Sequence, residues 1–193
     1  LEVIRRSTER LHHLVEDLLL IAQIEAERVE LELESFDLGE LVEQSVQAMR
    51  PAAAEKHVAV EIVGNHLPAI VADRLRITQV LDNLVANAVK FTPDGGRVRI
   101  ALDRVDGQAC VRVSDTGMGI PRGDVPGLFK RFARASNAGA IPGTGLGLAI
   151  SAAIAASHGG SVSVESVEGE GSTFTLWLPA AQDPAGAATA LVA

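Results

Sequence analysis

Two pairs of short alternating runs, each turned back on itself near a glycine, constrain this chain more than any other feature. Val98, Ile100 and Leu102 alternate with polar neighbours, Asp106-Gly107 turns, and Cys110 to Val113 returns. Ser161 to Glu165 and Thr173 to Leu178 repeat the arrangement around Glu168-Gly169-Glu170-Gly171. Period-two runs joined by so few residues predict antiparallel hairpins. Helical stretches lie before and between them. Phe36 to Lys56 reads as a helix, with Asp37 as N-cap and Glu40 as its capping-box partner. Asp73 caps a second helix running to about Phe91, followed by the turn cluster Thr92 to Gly96. Gly145 to His158 is a third, closed by Gly159-Gly160. Val58 to Val63 alternates as a strand, with Val58, Val60 and Ile62 on one face, and Ile70 to Ala72 is short and extended. Hairpins with helices between them predict an α+β domain of two layers, a mixed sheet with helices on one face.

The first 31 residues follow another pattern. Ile4, Leu11 and Leu18 are spaced by heptads, Ser7, Leu14 and Ile21 form a second seam, and Val15, Leu19 and Ala22 widen the stripe. This predicts a long bundle or coiled-coil helix whose apolar side buries against a partner helix, from a second copy or an upstream segment. The chain then divides into a helix over 1–31, a junction over 32–36, the α/β domain over 37–179 and a low-complexity, disordered tail over 180–193.

Opening on Leu1 with no signal-peptide pattern, it reads as a segment of a longer protein. A net charge of −8 argues against nucleic-acid binding through a broad basic surface. One cysteine, Cys110, excludes a disulfide framework and suits a reducing compartment. Residues 135–164 lack charge, but their six glycines and one proline argue against a membrane span. A cytoplasmic location is expected for this segment, with the parent protein free to be membrane-anchored.

Three clusters carry chemistry. Asn83, Asn87 and Lys90, spaced i, i+4, i+7, share one helix face. Amide oxygens are hard ligands that hold Mg²⁺ without adding charge, and lysine meets phosphate; the ordinary alternative is a solvated polar stripe. Asp115 ends a strand before Thr116-Gly117-Met118-Gly119-Ile120. An ionised carboxylate only accepts, so it pairs with an exocyclic amine such as adenine's and not with guanine's carbonyl. The ordinary alternative is an Asp-Gly turn. Gly143-Thr144-Gly145-Leu146-Gly147 places alternate glycines at the start of a helix, where bare amides favour anions. It lacks the spacing of a dinucleotide loop and the lysine of a Walker loop, and a flexible hinge is the ordinary alternative.

In this order the clusters resemble the catalytic domain of sensor histidine kinases of two-component systems, with its Bergerat-type ATPase fold, in the superfamily that includes DNA gyrase and a chaperone family. Asn83 to Thr92 is similar to the N box, Asp115 to Gly119 to the G1 box and Gly143 to Gly147 to the G2 box. Leu128 to Arg134 resembles the F box, with Lys130 where an acidic residue is usual. Gly169 to Phe174 and Leu176-Trp177-Leu178-Pro179 also fit, and Leu14 to Glu25 resembles the second helix of the dimerisation and phosphoacceptor bundle.

The resemblance implies ATP and Mg²⁺ as ligands. Asp115 would bind the adenine amine, with Gly117, Gly119 and Ile120 beside the base. Asn87 would coordinate Mg²⁺, with Asn83 assisting at the phosphates. Lys90 would contact phosphate, Phe91 would line the pocket, and Arg134 would reach the γ-phosphate. Gly143, Thr144, Gly145, Leu146 and Gly147 would border a lid formed by 135–142, and Thr173 would add a contact. Asn87, Lys90 and Arg134 are thus the expected catalytic residues. Implied partners are a response-regulator receiver domain, whose aspartate takes the phosphoryl group, and a second copy, through the N-terminal helix.

The family's acceptor motif, like His-Glu-Leu-Arg-Thr-Pro, is absent. His12 and His13 stand in the second-helix pattern and, like His57 and His66, read as structural or solvent-facing. His158 reads as a helix cap. Two alternatives stay open: another ATPase of the superfamily, or a degenerate dimerisation module.

Overall fold

The computed structural model describes residues 15, 19, 22, 30–64 and 69–180. The expected N-terminal helix therefore lies outside the described residues except at Val15, Leu19 and Ala22, which are helical and exposed. His12, His13, His66 and the tail beyond Ala180 lie outside them too.

In chain order the elements are β1 (Leu33–Phe36), α1 (Leu38–Glu55), β2 (Ala59–Gly64), β3 (Ile70–Asp73), α2 (Arg74–Phe91), β4 (Arg97–Val105) and β5 (Gln108–Asp115). Two 3₁₀ turns, Val125–Gly127 and Ser136–Ala138, precede α3 (Gly147–Ser157), β6 (Ser161–Val167) and β7 (Gly171–Pro179). Five strands form one sheet in the order β2-β4-β5-β7-β6. β2 runs parallel to β4 and the other pairs are antiparallel, so the sheet is mixed. Both expected hairpins form. Val105 faces Gln108 across Asp106 and Gly107, both left-handed, which matches the twist of the strands they join.

Register explains the core. Ile100, Val113, Phe174 and Val164 form one row across four strands, and Leu102, Val111, Leu176 and Val162 form the next. Helices pack on this face, α2 lying between α1 and α3 and over β5. Ile77, Val80, Leu81, Leu84, Val85 and Ala88 are buried along α2, the stripe an amphipathic helix needs. Each fully buried leucine or isoleucine contributes on the order of 1.5–3 kcal/mol.

The other face of the sheet is polar. It presents Arg99, Arg112, Thr175 and Trp177. The Arg112 guanidinium donates to Asp103 Oδ2 at 3.0 Å, and Trp177 Nε1 donates to Ser163 Oγ at 3.4 Å. Cys110 is buried beneath this layer, and its burial raises the thiol pKa.

One sequence expectation needs correction. Residues 32–36 are not a plain junction, because β1 pairs antiparallel with β3 as a separate two-stranded sheet. Four residues with a single buried member, Phe36, carry too little alternation to announce a strand, and the pairing itself makes it one. Val60 and Ile62 share one face, opposite Val98 and Ile100, and Ile62 is still 38% exposed because β2 lies at the edge of the sheet.

The helix ends are fixed by side chains. Asp37 Oδ1 accepts from Gly39 N at 2.7 Å and starts α1. Lys56 Nζ donates to the Val89 and Lys90 carbonyls at 2.9 and 2.8 Å, closing the C-terminus of α2. Asp73 Oδ1 accepts from Arg76 N at 3.1 Å as the N-cap of α2, and its Oδ2 accepts from Glu32 N at 3.3 Å. No described helix is long and apolar enough to cross a membrane.

Candidate functional site

A cavity of about 380 Å³ opens between α2, the loop after β5 and the segment leading into α3. That volume lies within the range of small-molecule sites. It is lined from the sequence-predicted set by Asn83, Asn87, Lys90, Phe91, Asp115, Gly119, Ile120, Arg134, Gly143, Thr144, Gly145 and Gly147. Three expected residues are not among its lining. Gly117 stands behind it, holding Asp115. Leu146 is fully buried in the core. Thr173 faces the outer side of the sheet, its Oγ1 donating to Ser114 Oγ at 2.9 Å. Ser172, its neighbour, takes the place expected of Thr173.

The α2 face is organised by its contact with α3. Asn83 Nδ2 donates to Ser151 Oγ at 2.8 Å, and Asn83 Oδ1 accepts from Asn87 Nδ2 at 3.3 Å. Asn83 is thus occupied on both sides and orients Asn87. Asn87 spends its nitrogen on this bond, which leaves its oxygen as the donor atom for a cation. A side chain at the first residue of α3 would push the Asn83 amide aside: a Cβ on Gly147 would stand 2.2 Å from Asn83 Oδ1. The third glycine of the loop therefore serves helix packing.

Lys90 lies one turn further along. Its Nζ sits 4.8 Å from the centroid of the Phe91 ring, a cation–π contact, and beside Gly143. Burial lowers the Lys90 pKa, and the Arg134 guanidinium lowers it further. Two cations sharing one cavity call for an anion. Arg134 Nη2 also donates to the Gly139 and Ile141 carbonyls at 3.1 and 2.6 Å, so the lid segment is strung across it.

Asp115 ends β5 and is 8% exposed. Its Oδ1 accepts from Gly117 N at 2.8 Å and from Ser172 N at 3.3 Å. Both bonds fall on one oxygen, which leaves the other for a donor in the cavity. Burial raises the Asp115 pKa, and the two backbone N–H groups oppose that rise. Ser172 is held by Ser166, whose Oγ lies 2.9 Å from Ser172 Oγ and accepts from Ile120 N at 2.9 Å. The β6–β7 hairpin therefore braces the loop after Asp115.

Sequence reasoning missed Ser172, Phe174, Asn137 and the apolar wall of Met118, Leu128, Ile141 and Leu148. A signal for Ser172 was present. With Phe174 on the core face, period two puts Ser172 on the same side and Thr173 on the other.

The residues fit Mg²⁺ in one way only. No group of three His, Cys, Asp or Glu that could cage a metal exists among the described residues. One neutral Asn87 oxygen suits an ion that keeps its waters and takes its other ligands from phosphate.

A carboxylate beside a largely apolar cavity, an amide pair, two cations and a glycine-rich lid define a nucleotide-binding ATPase domain. Residues 72–182, more than half the chain, match the family model of histidine kinase-, DNA gyrase B- and HSP90-like ATPases, and the chain belongs to that family. Within it, this is an ATP-binding catalytic domain of the sensor histidine kinase type. Circadian input-output histidine kinase CikA of Synechococcus elongatus is 36% identical over 184 residues, 93% of this chain. Those residues are 24% of CikA, so the chain spans about a quarter of that relative. Full-length ShkA, solved in complex with AMPPNP, superposes with a TM-score of 0.84 at 34% identity, covering 94% of this chain and 38% of ShkA. Histidine kinase ThkA, solved in complex with the response regulator protein TrrA, gives a TM-score of 0.72 at 27% identity, covering 93% and 50%.

Proposed function

We propose that this chain is the phosphoryl-donating part of a sensor histidine kinase. ATP binds with its adenine amine donating to the free oxygen of Asp115. Asn87 supplies an oxygen to the Mg²⁺ that accompanies the triphosphate, oriented by Asn83. That ion supplies charge neutralisation when bound. Lys90 meets phosphate, and Arg134 exchanges its lid carbonyls for the γ-phosphate. A histidine imidazole nitrogen takes the γ-phosphoryl group on its lone pair. The bond to the bridging oxygen breaks, ADP leaves with the electron pair, and the imidazolium gives up a proton. The protein's part is positioning and charge stabilisation.

The observation that carries the reading is Asp115. A buried carboxylate with one oxygen saturated by backbone N–H groups and the other beside a cavity selects an exocyclic amine. The ShkA complex with AMPPNP supports the ligand class. The ThkA–TrrA complex supports a receiver domain as the next partner, whose aspartate takes the phosphoryl group. The described histidines do not serve as acceptor. His158 is locked between backbone groups, and His57 Nδ1 pairs with Asp94 Oδ1 at 2.9 Å. The acceptor stands on a separate bundle helix, and the parent protein pairs as a homodimer through its N-terminal helix. The domain works in the cytoplasm.

Calorimetric titration with Mg-ATP, with GTP as control, tests the site. Saturable ATP binding without GTP binding is expected. A folded protein that binds neither would sink the reading in favour of a degenerate module. Transfer of ³²P from ATP to an added acceptor-helix protein then tests the reaction.

A further inference from the structure

The lid holds a residue that neither the sequence motifs nor the mechanism uses. Asn137 sits in the 3₁₀ turn Ser136–Ala138 and lines the cavity. Its turn is pinned from outside, because Ser136 donates through both N and Oγ to Asp124 Oδ2 at 2.7 and 2.8 Å. Asn137 Nδ2 donates to the Gly119 carbonyl at 3.0 Å. A carbonyl only accepts, so the amide nitrogen must face Gly119 and the amide oxygen must face away from it. Gly119 itself is packed closely against the β6–β7 hairpin. Its φ is +62°, and a Cβ there would stand 2.0 Å from the Val167 carbonyl.

Asn137 Oδ1 is buried and has no hydrogen-bond partner among the described residues. A buried acceptor without a partner is costly and rare, and calls for a donor. Its position chooses the donor. Gly119 belongs to the loop that follows Asp115, on the side of the cavity assigned to the base. A triphosphate offers only acceptors at neutral pH, so it cannot satisfy Oδ1. The adenosine half offers three donors: the exocyclic amine and the 2′ and 3′ hydroxyls.

We propose that Asn137 is a further nucleotide-contacting residue, whose Oδ1 accepts a hydrogen bond from a donor on the adenosine half of the bound nucleotide while its Nδ2 ties the lid to Gly119. This rests on the ATP reading of the site. It makes the lid a reader of the nucleoside as well as a cover over the phosphates.

The test is a binding matrix. Wild type, Asn137→Ala and Asn137→Asp are titrated with ATP, 2′-deoxy-ATP, 3′-deoxy-ATP and N6-methyl-ATP, the last of which keeps one N–H for Asp115. One analogue is expected to weaken binding roughly tenfold in wild type, because it leaves Oδ1 unpaired. The identity of that analogue names the donor. The same analogue is expected to bind Asn137→Ala about as well as ATP does. Asn137→Asp keeps an acceptor oxygen and is expected to retain the discrimination. Equal responses of wild type and Asn137→Ala to every analogue would overturn the assignment while leaving the ATP site standing. Wild type that binds none of the four nucleotides would overturn the site itself.

Discussion

His158 Nε2 accepts a hydrogen bond from the Asp73 backbone N–H at 3.0 Å, joining residues 85 apart in the chain. The other ring nitrogen, Nδ1, lies 2.8 Å from the Ile154 carbonyl and must carry the proton, so a neutral ring in one tautomer bridges the two groups. Asp73 caps α2, and His158 caps α3. One imidazole therefore ties the end of α3 to the start of α2, the helix that carries Asn83, Asn87 and Lys90.

From this bridge follows the first prediction. His158→Ala should cost about 1–3 kcal/mol, because it leaves the Asp73 N–H without its acceptor, while the Ile154 carbonyl keeps Ser157 Oγ at 2.8 Å as a donor. Because His158 lies outside the cavity, ATP affinity should stay within about twofold. Denaturant unfolding and calorimetry on the same preparation check both halves. A large loss of affinity at unchanged stability would contradict the purely structural role.

Asp115 gives the second. Its pKa is raised above the usual 3.8, so the folded state binds this proton more readily than the unfolded chain does. Stability due to this group is therefore greatest at acid pH. It declines as pH rises from about the ordinary carboxylate pKa through the raised one. Asp115→Asn should remove that decline and leave the fold intact. The amide turns an N–H toward the adenine amine, so ATP affinity should fall more than about tenfold. Unfolding midpoints across acid and neutral pH, with ATP titration, give the comparison.

Lys90 gives the third, with the opposite group. Burial and Arg134 hold its pKa down, and a bound triphosphate would push it back up. Binding therefore takes up a proton where free Lys90 has begun to lose it. ATP affinity should weaken as pH rises through the depressed Lys90 pKa, while adenosine affinity should not. In Lys90→Arg, which keeps its charge, the alkaline fall should disappear. A fall shared equally by ATP and adenosine would assign it to another group.

Gly147 and Asn83 give the fourth. Gly147→Ala drives a methyl into Asn83 Oδ1 and should cost about 1–3 kcal/mol, read as a lowered unfolding midpoint. Adding Asn83→Ala should recover part of that stability, because the two residues compete for one space. The double variant should remain weak for Mg-ATP, since Asn87 has lost its orienting partner. Full additivity of the two substitutions would disprove the packing account.

Much of the domain was legible because its signals are local. The α2 face follows from i, i+4, i+7 spacing, and the hairpins follow from alternation around glycine turns. β1 was not legible. Its strand character comes from β3, which lies more than thirty residues later. The Thr173 assignment failed by one position, and in a strand one position is the whole difference between cavity side and outer side. Leu146 failed for a related reason. An apolar residue between two glycines carries no sequence mark of whether it faces ligand or core. Asn137 left no trace because its role depends on a lid turn meeting a loop eighteen residues earlier.

The single tryptophan of the chain, Trp177, stands on the polar face of the sheet, away from the nucleotide cavity. Its indole is tied to Ser163 across the β6–β7 pair. Intrinsic fluorescence will therefore follow melting of the sheet and stay nearly silent when ATP enters. The optical signal of unfolding thus reports the sheet and not the occupancy of the site.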